Sequence, residues 1–351
     1  MSEIGAGATV GSASGLAIVP LAGGGPAATV RVGTFPDALA VAGQTAYVAS
    51  YVDDSVTPVD LETGRAGRPI PAGPGPAAIA VAPDGRMAYV TDAGTSPLGH
   101  TVTPIDLATR RALPPIDVGA GPQGIAITPD GSTAYVADAG AIVSGQSGPI
   151  GHTVTPIDLA TRRALPPIDV GNAPVAVAVS PDGHAAYVAN ANSGSVSPIS
   201  VSTGRAGPAI AVPGAPQALA LSGSTLYVAL GRSGVAPGDS VVAIDLGTGR
   251  AGTPVGVGPT PTALAVHGSR VYVVCYGSSA VVPVTFVHGA AQVGRPIHVP
   301  DGPYAIALAL VRVPRGRSAG ASARVLAGHS SAGRAAPGRA PQGAQRARPK
   351  R

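Results

Sequence analysis

The chain has 351 residues, of which 45% are hydrophobic and only 12% are charged, so it can bury a sizeable core in one large domain or two. Its 50 glycines and 37 prolines argue against long helices, and the sequence has no apolar run of membrane-spanning length. The net charge of +5 arises at the C-terminus, because nine basic residues and no acidic residue follow Pro314. The single cysteine, Cys275, excludes an intrachain disulfide.

The N-terminal residues 1–14 are predicted to be an extension, because they are rich in glycine, alanine and serine. They lack the basic region of a secretory signal, and Glu3 adds a negative charge. Two strand-like runs follow, "GLAIVPL" and "AATVRVG", before any repeat begins. These two runs resemble the second half of the repeat unit described next.

The chain then repeats itself at intervals of 40 to 52 residues. A Tyr-Val pair marks six of the units and begins at Tyr47, Tyr89, Tyr135, Tyr187, Tyr227 and Tyr272. A proline opens each of seven units, at Pro36, Pro76, Pro122, Pro174, Pro216, Pro261 and Pro303. Repeats of this length indicate an architecture assembled from copies of one supersecondary unit.

Each unit is predicted to contain four short strands. The first alternates alanine with a larger aliphatic residue, which is typical of a strand packed on both faces. A Pro-Asp-Gly turn or its equivalent leads to the Tyr-Val strand, and a "TVTPIDL" strand follows. The prolines of the two later strands suit outer strands, which can spare a ladder hydrogen bond.

These units predict an all-β fold, a seven-bladed β-propeller of four-stranded blades over residues 15–313, or as far as residue 330 if the segment after Val313 supplies a strand of the last blade. The unit after Pro303 lacks a Tyr-Val strand. We therefore expect the N-terminal strands to complete the last blade and close the ring, which would leave no open sheet edge. One twenty-one-residue phrase is present twice without change, at 99–119 and 151–171, and is predicted to be the outer half of two blades.

The segments "YVTD" (89–92), "YVAD" (135–138) and "YVAN" (187–190) resemble the YVTN-type repeats of YncE-like and surface-layer-associated propellers. The resemblance covers about residues 15–313. It implies the propeller fold, and it implies an exported or cell-surface location that the N-terminal residues do not support. One relative type is described as DNA-binding, which is analogy alone.

Aromatic and acidic residues outside the repeat positions fall in neighbouring units at the junction of the ring. The top face is the one where the first strands begin and where the loops after the second and fourth strands lie. The predicted site on this face consists of Phe35, Asp37, Tyr51, Asp53, Asp54, Tyr276 and Tyr304. One interpretation is a shallow ligand-binding patch. The alternative is a set of aromatics that holds the seam of the ring together.

Catalytic and metal sites find less support in the sequence. Asp92, Asp138 and Asn190 are the candidates for calcium ligands, but Asp and Asn at strand ends are also typical turn formers, so we expect no metal and no cofactor. Cys275 has no histidine at a plausible neighbouring position, which favours a structural thiol.

We therefore expect a non-enzymatic scaffold, most simply a monomer, that binds a protein or a small ligand through its top-face loops. A lactonase-type propeller hydrolase is the first alternative. The second is binding of nucleic acid or an anionic surface by residues 331–351, which are predicted to form a disordered basic tail.

Overall fold

The computed structural model describes residues 15–20, 28–94, 98–141, 148–231, 239–287, 290–299, 303–311 and 322–328, which form an all-β protein. The predicted N-terminal extension (1–14) and the predicted basic tail (331–351) lie outside these residues, so both stay predictions. Within the described ranges, no helix has the length and apolar character needed to cross a membrane.

The strands of the N-terminal region and of the first three blades follow in chain order. They are β1 (Gly15–Pro20) and β2 (Ala28–Arg31); β3 (Pro36–Ala42), β4 (Thr45–Ser50), β5 (Ser55–Asp60), β6 (Arg65–Ala66) and β7 (Ile70–Pro71) in blade 1; β8 (Pro76–Val81), β9 (Met87–Gly94), β10 (Leu98–Asp106), β11 (Arg111–Ala112) and β12 (Ile116–Asp117) in blade 2; and β13 (Pro122–Ile127), β14 (Thr133–Gly140), β15 (Ile150–Asp158), β16 (Arg163–Ala164) and β17 (Ile168–Asp169) in blade 3.

The remaining strands belong to blades 4 to 6 and to the C-terminal region. They are β18 (Pro174–Val179), β19 (Ala185–Asn190), β20 (Ser195–Ser200), β21 (Arg205–Ala206) and β22 (Ile210–Ala211) in blade 4; β23 (Ala215–Ser222), β24 (Thr225–Gly231), β25 (Ser240–Asp245), β26 (Arg250–Ala251) and β27 (Val255–Gly256) in blade 5; β28 (Pro261–His267), β29 (Arg270–Cys275), the 3-10 turn Tyr276–Ser278, β30 (Ala280–Val287), β31 (Ala290–Val293) and β32 (Ile297–His298) in blade 6; and β33 (Ala307–Val311) and β34 (Ser322–Gly328).

Each blade is an antiparallel sheet of four strands whose outermost strand is interrupted. In blade 2 both β11 and β12 pair with β10, and the residues between them include Pro114 and Pro115. Proline has no N–H to contribute to a ladder, so the outer strand stops and restarts. In blades 1, 2, 3 and 5 the aspartate that ends the third strand holds the following turn, as where Oδ1 of Asp60 accepts from the amides of Glu62 and Thr63.

The predicted number of blades is wrong, because the described residues form six blades of four strands and not seven. The core of a blade is built around the Tyr-Val strand, and the residues that follow Pro303 supply none. Strands β33 and β34 pair with the N-terminal strands, as expected, in the order β2-β1-β34-β33. We call these four strands the closing sheet.

The closing sheet lies between the first and last blades. Leu16 and Val30 pack with Leu39 and Val48 of blade 1 in one buried cluster. On the other side, Leu308 packs against a buried cluster of blade 6. The two ends of the chain thus meet in one sheet, which joins blade 6 to blade 1.

Neighbouring blades are held together by apolar side chains from their facing surfaces. Tyr47 and Val56 of blade 1, for example, pack with Ile79, Val90 and Ile105 of blade 2. The repeat tyrosines belong to these cores: five are between 2% and 7% exposed, and Tyr187 is half-buried. This rigid ring places the first strand of every blade around a central channel.

Candidate functional site

A β-bulge shapes the same point of all six blades. The first strand of each blade shifts its register against the second strand immediately after the opening proline, so one residue is left over. A bulge bends the strand and re-aims the extra side chain. The bulged residues are Asp37, Ala77, Gln123, Val175, Gln217 and Thr262.

These six residues and Tyr304, which follows Pro303, line one cavity at the mouth of the channel. The cavity has a volume of about 540 Å³ and is open to solvent on one side. We call it the channel mouth. This volume is within the size range of small-molecule sites, which is roughly 300–1,000 Å³.

In blades 2 to 6 the next residue of the first strand is small, and these five residues form the wall below the mouth together with Ala305, which follows Tyr304. They are Ala78, Gly124, Ala176, Ala218, Ala263 and Ala305. At Gly124 a Cβ would lie 2.8 Å from both Cα of Ala176 and the carbonyl oxygen of Val175, so the close approach of blades 3 and 4 requires glycine here. Small residues at this level keep the channel mouth open.

The polar groups of the channel mouth are amides, hydroxyls and one carboxyl group. Gln123 and Gln217 contribute the amides, and Nε2 of Gln217 donates to the carbonyl of Ala215 at 3.3 Å. The hydroxyl of Thr262 donates to the carbonyl of Pro303 at 3.3 Å. Among the described residues that line this cavity, Asp37 is the one carboxylate and none is basic.

The predicted aromatic residues form two pairs. The rings of Phe35 and Tyr51 have centroids 5.9 Å apart, and those of Tyr276 and Tyr304 lie 5.4 Å apart in an edge-on arrangement. The hydroxyl of Tyr51 donates to the carbonyl of Gly94 at 3.0 Å, which links blade 1 to blade 2. Of the predicted site residues, Asp37 and Tyr304 line the channel mouth.

The other two predicted carboxylates hold loops in place. Oδ2 of Asp53 accepts from the amide of Thr34 at 2.7 Å, and Oδ1 of Asp54 accepts from the amide of Gly75 at 2.8 Å. Both bonds join the loop after the second strand to a segment that precedes a first strand.

The calcium candidates Asp92 and Asp138 lie within their own blades, almost completely buried. Oδ2 of Asp92 accepts from the hydroxyls of Thr101 and Thr103, both at 2.8 Å. Oδ2 of Asp138 accepts in the same way from Thr153 at 3.1 Å and Thr155 at 2.7 Å. Burial raises the pKa of each carboxyl to about 6, and the hydroxyl donors oppose this rise.

Asn190 occupies the same position in blade 4, and its Nδ2 donates to the hydroxyls of Ser195 and Ser197 at 3.2 and 2.9 Å. Nothing on these three blades brings such residues together on one ion: in the described part of the chain, no group of three or more His, Cys, Asp or Glu is placed to hold a metal.

Cys275 takes this position in blade 6 and is fully buried, with Sγ 3.7 Å from the carbonyl oxygen of Val257. Burial, with a smaller contribution from the charge of Asp239, raises the pKa of the thiol to about 12. A thiol that stays protonated at neutral pH is a poor nucleophile.

Gln123, Gln217 and Thr262 were not predicted as site residues from the sequence. The sequence contains a signal that could have identified them, since all three directly follow an opening proline, as Asp37 and Tyr304 do. In the sequence the opening prolines indicate only the number of units. The bulge that turns the next residue toward the channel is visible only in the strand register.

Comparisons with known proteins place the fold. No family model matches the sequence, and no curated protein matches it either. Three similar solved structures are Kuenenia stuttgartiensis hydrazine synthase (22% identity, TM-score 0.67, 77% of this chain and 88% of that chain), a putative 6-phosphogluconolactonase from Bacteroides uniformis (18%, 0.66, 85% and 96%) and the periplasmic gluconolactonase of Pseudomonas aeruginosa (19%, 0.67, 85% and 96%). These similarities support a β-propeller fold, and no family match supports the more specific YVTN resemblance.

Proposed function

We propose that this protein binds a small, uncharged, polar ligand in the channel mouth. The observation that carries the proposal is the contrast between two adjacent levels of the channel. The wall below the mouth is uniformly alanine or glycine, whereas the bulged position above it carries an aspartate, two glutamines and a threonine. Side chains of this variety are not needed to close the ring.

The chemistry of these groups favours a polyhydroxylated ligand such as a neutral sugar or sugar lactone. Amides and hydroxyls both donate and accept hydrogen bonds, as the hydroxyls of a sugar do. The apolar side chains of Ala77 and Val175 can cover the C–H faces of a sugar ring. A phosphorylated ligand is disfavoured, because no arginine, lysine or histidine is among the described residues of this cavity.

Calorimetric titration with a panel of neutral monosaccharides, oligosaccharides and D-glucono-1,5-lactone tests this proposal. We expect at least one member to bind, and we expect the Gln123→Ala/Gln217→Ala variant to lose most of the affinity. Gln292→Ala is the matched control, because Gln292 lies on the outermost strand of blade 6. A panel without any binder, or binding that survives the double substitution, would contradict the proposal.

A lactonase-type hydrolase is the second candidate, and the observation that favours it is that two of the similar structures are named as lactonases. Hydrolysis would need a general base to remove a proton from the attacking water and donors to stabilise the oxygen of the carbonyl. Asp37 is the carboxylate in position for the first role, and the amides of Gln123 and Gln217 are available for the second.

A pH-stat assay with D-glucono-1,5-lactone separates the two candidates. Turnover above the spontaneous rate that falls at least a hundredfold in Asp37→Asn would favour the hydrolase. Binding of the lactone without turnover, retained in Asp37→Asn, would favour the binding protein.

A further inference from the structure

One position of the third strand breaks the repeat in blade 5. Every other blade has a proline there, at Pro58, Pro104, Pro156, Pro198 and Pro283, whereas blade 5 has Ala243. In blades 1, 4 and 6 the proline ring packs against a glycine that follows the first piece of the outer strand. A Cβ on Gly67, Gly207 or Gly294 would lie 3.1, 3.4 or 2.9 Å from Cγ of that proline.

The missing ring leaves space in blade 5. The corresponding glycine is Gly252, and a Cβ there would meet only the carbonyl oxygen of Ala243, at 3.3 Å, within 4 Å. Ala243 and Gly252 both line a cavity of about 730 Å³ between the outer parts of blades 5 and 6. We call this cavity the outer groove.

A second break of the repeat gives the outer groove an aromatic wall. The residue after the turn-forming position of the third strand, which is Asp60 in blade 1, also differs in blade 6. It is Leu61, Leu107, Leu159 or Leu246 in four blades, Val201 in blade 4 and Phe286 in blade 6. Its ring lies 4.9 Å from the ring of Tyr227, with an angle of 44° between their planes. Both rings line the groove, and Phe286 is only half-buried.

The turn between β23 and β24 also borders the outer groove. It consists of two residues, Gly223 and Ser224, as the equivalent turns of blades 1 and 6 do (43–44 and 268–269), whereas five residues (82–86) separate the equivalent strands of blade 2. Ser224 and Thr225 line the groove in the place where a longer turn would carry its proline and aspartate.

The charged residues at the edge of the outer groove have different roles. Arg250 lies on the short strand β26 and is exposed, so its guanidinium can bind an anion without first losing a buried partner. Asp245 also lines the groove, but its Oδ1 already accepts from the turn amides of Gly247 and Thr248 at 2.8 and 3.2 Å.

We propose that the outer groove is a second binding site, distinct from the channel mouth, that takes a small aromatic carboxylate. The aromatic ring of the ligand packs against Tyr227 and Phe286, where offset or edge-on contacts are favourable. The carboxylate pairs with the guanidinium of Arg250, whose planar set of donors matches its two oxygens. Two separate departures from the repeat, Ala243 and Phe286, line this one cavity, which is the reason to assign it a function.

The proposal is tested by calorimetric titration with 2-naphthoate and with its neutral analogue 2-naphthamide. We expect 2-naphthoate to bind at submillimolar to millimolar concentration and the amide to bind more weakly. Arg250→Gln should reduce 2-naphthoate binding by up to about fivefold and leave 2-naphthamide binding unchanged. The matched control is Arg205→Gln, which removes the equivalent arginine of blade 4.

Ala243→Pro fills the groove with the residue that the other blades use. Ala243 stands opposite Tyr227 in the strand register, as Pro198 stands opposite Tyr187 in blade 4, so the new proline occupies a backbone position that already holds proline in another blade. We expect this variant to unfold at the wild-type temperature or above and to lose 2-naphthoate binding at least tenfold. Phe286→Leu restores the other repeat residue and should weaken both ligands alike.

Three results would overturn the proposal. One is the absence of 2-naphthoate binding to the wild-type protein at a ligand concentration of about 10 mM. Another is binding that persists in a folded Ala243→Pro variant. The last is an equal loss of 2-naphthoate and 2-naphthamide in Arg250→Gln. None of them bears on the channel mouth, whose ligands are tested separately.

Discussion

Blades 2 and 3 keep the repeat closely, whereas blades 5 and 6 depart from it, and the two pairs use their unusual residues differently. In blades 2 and 3 the outer halves are identical in sequence, and each encloses a buried aspartate between two threonines. In blades 5 and 6 the departures lie around a cavity. A polar residue that recurs in the repeat therefore has a structural role within its blade. A residue that departs from the repeat is the better candidate for ligand binding.

The position three residues after the repeat tyrosine shows how freely a blade core can be filled. It holds Ser50, Asp92, Asp138, Asn190, Leu230 and Cys275 in blades 1 to 6, and all six are fully or almost fully buried. The neighbouring strand changes with it: Thr101 and Thr103 face Asp92, whereas Ser240 and Val242 stand opposite Leu230 and Val228. Polar and apolar side chains at this position are thus both compatible with the same blade backbone.

The largest expected effect comes from the glycine that covers the buried aspartate of blade 3. A Cβ on Gly119 would overlap Cγ of Asp138, whose side chain is enclosed by Thr153 and Thr155 and has no room to move. We expect Gly119→Ala to lower the free energy of unfolding by about 3 kcal/mol or more. Urea unfolding followed by circular dichroism measures this.

Gly256→Ala is the control for that substitution. Gly256 lies in blade 5, and a Cβ there would meet nothing within 4 Å. We expect its unfolding free energy to stay within about 0.5 kcal/mol of the wild type. Equal losses in the two variants would show that Gly119 is not needed for the enclosure of Asp138.

The next effect depends on pH and compares the buried aspartate of blade 3 with the asparagine of blade 4. The pKa of Asp138 rises from an ordinary 3.8 to about 6 on folding, because burial disfavours the charged form. Between these pH values the folded state holds a proton that the unfolded state has lost. The contribution of this carboxyl to the stability of the protein therefore falls as the pH rises from 3.8 to about 6, by about 3 kcal/mol.

Asp138→Asn removes this charge and copies the residue found in blade 4. We expect the variant to be about 2 kcal/mol more stable than the wild type at pH 8, and the gain to disappear near pH 4. Urea unfolding across that range measures it. The control is Asp158→Asn, because turn amides lower the pKa of Asp158 and its removal should destabilise the protein at pH 8. A gain in Asp138→Asn that does not change with pH would contradict the burial explanation.

Much of the fold could be predicted from the sequence, because the repeat residues act locally. The Tyr-Val strand and the aspartate at the end of the third strand can be recognised from their regular spacing. Asp60, for example, accepts the predicted hydrogen bonds from turn amides. The blade count failed because it relied on the opening prolines. Pro303 opens a unit without a Tyr-Val strand, and its strands pair with the N-terminal strands in the closing sheet.

The two cavities could not be predicted in the same way, because each depends on contacts between distant residues. Gln123 and Gln217 face the channel only because a bulge follows the opening proline. The sequence shows that Ala243 stands where the other blades have a proline. The space that this alanine leaves depends on Gly252, whose position is known only from the structure. Of the predicted top-face residues, Tyr51 joins two blades, and Asp53 and Asp54 join loops.

The smallest expected effect distinguishes the seam interpretation of the aromatic residues from the ligand interpretation. The hydroxyl of Tyr51 donates to the carbonyl of Gly94, so Tyr51→Phe keeps the ring packed on Phe35 and removes one hydrogen bond between blades 1 and 2. We expect a loss of about 1 kcal/mol and a fall in the melting temperature of about 2 °C, because a typical hydrogen bond contributes that much. Differential scanning calorimetry measures the shift. Sugar binding at the channel mouth should not change, because Tyr51 does not line it; a loss of that binding at unchanged stability would instead assign Tyr51 to the ligand site.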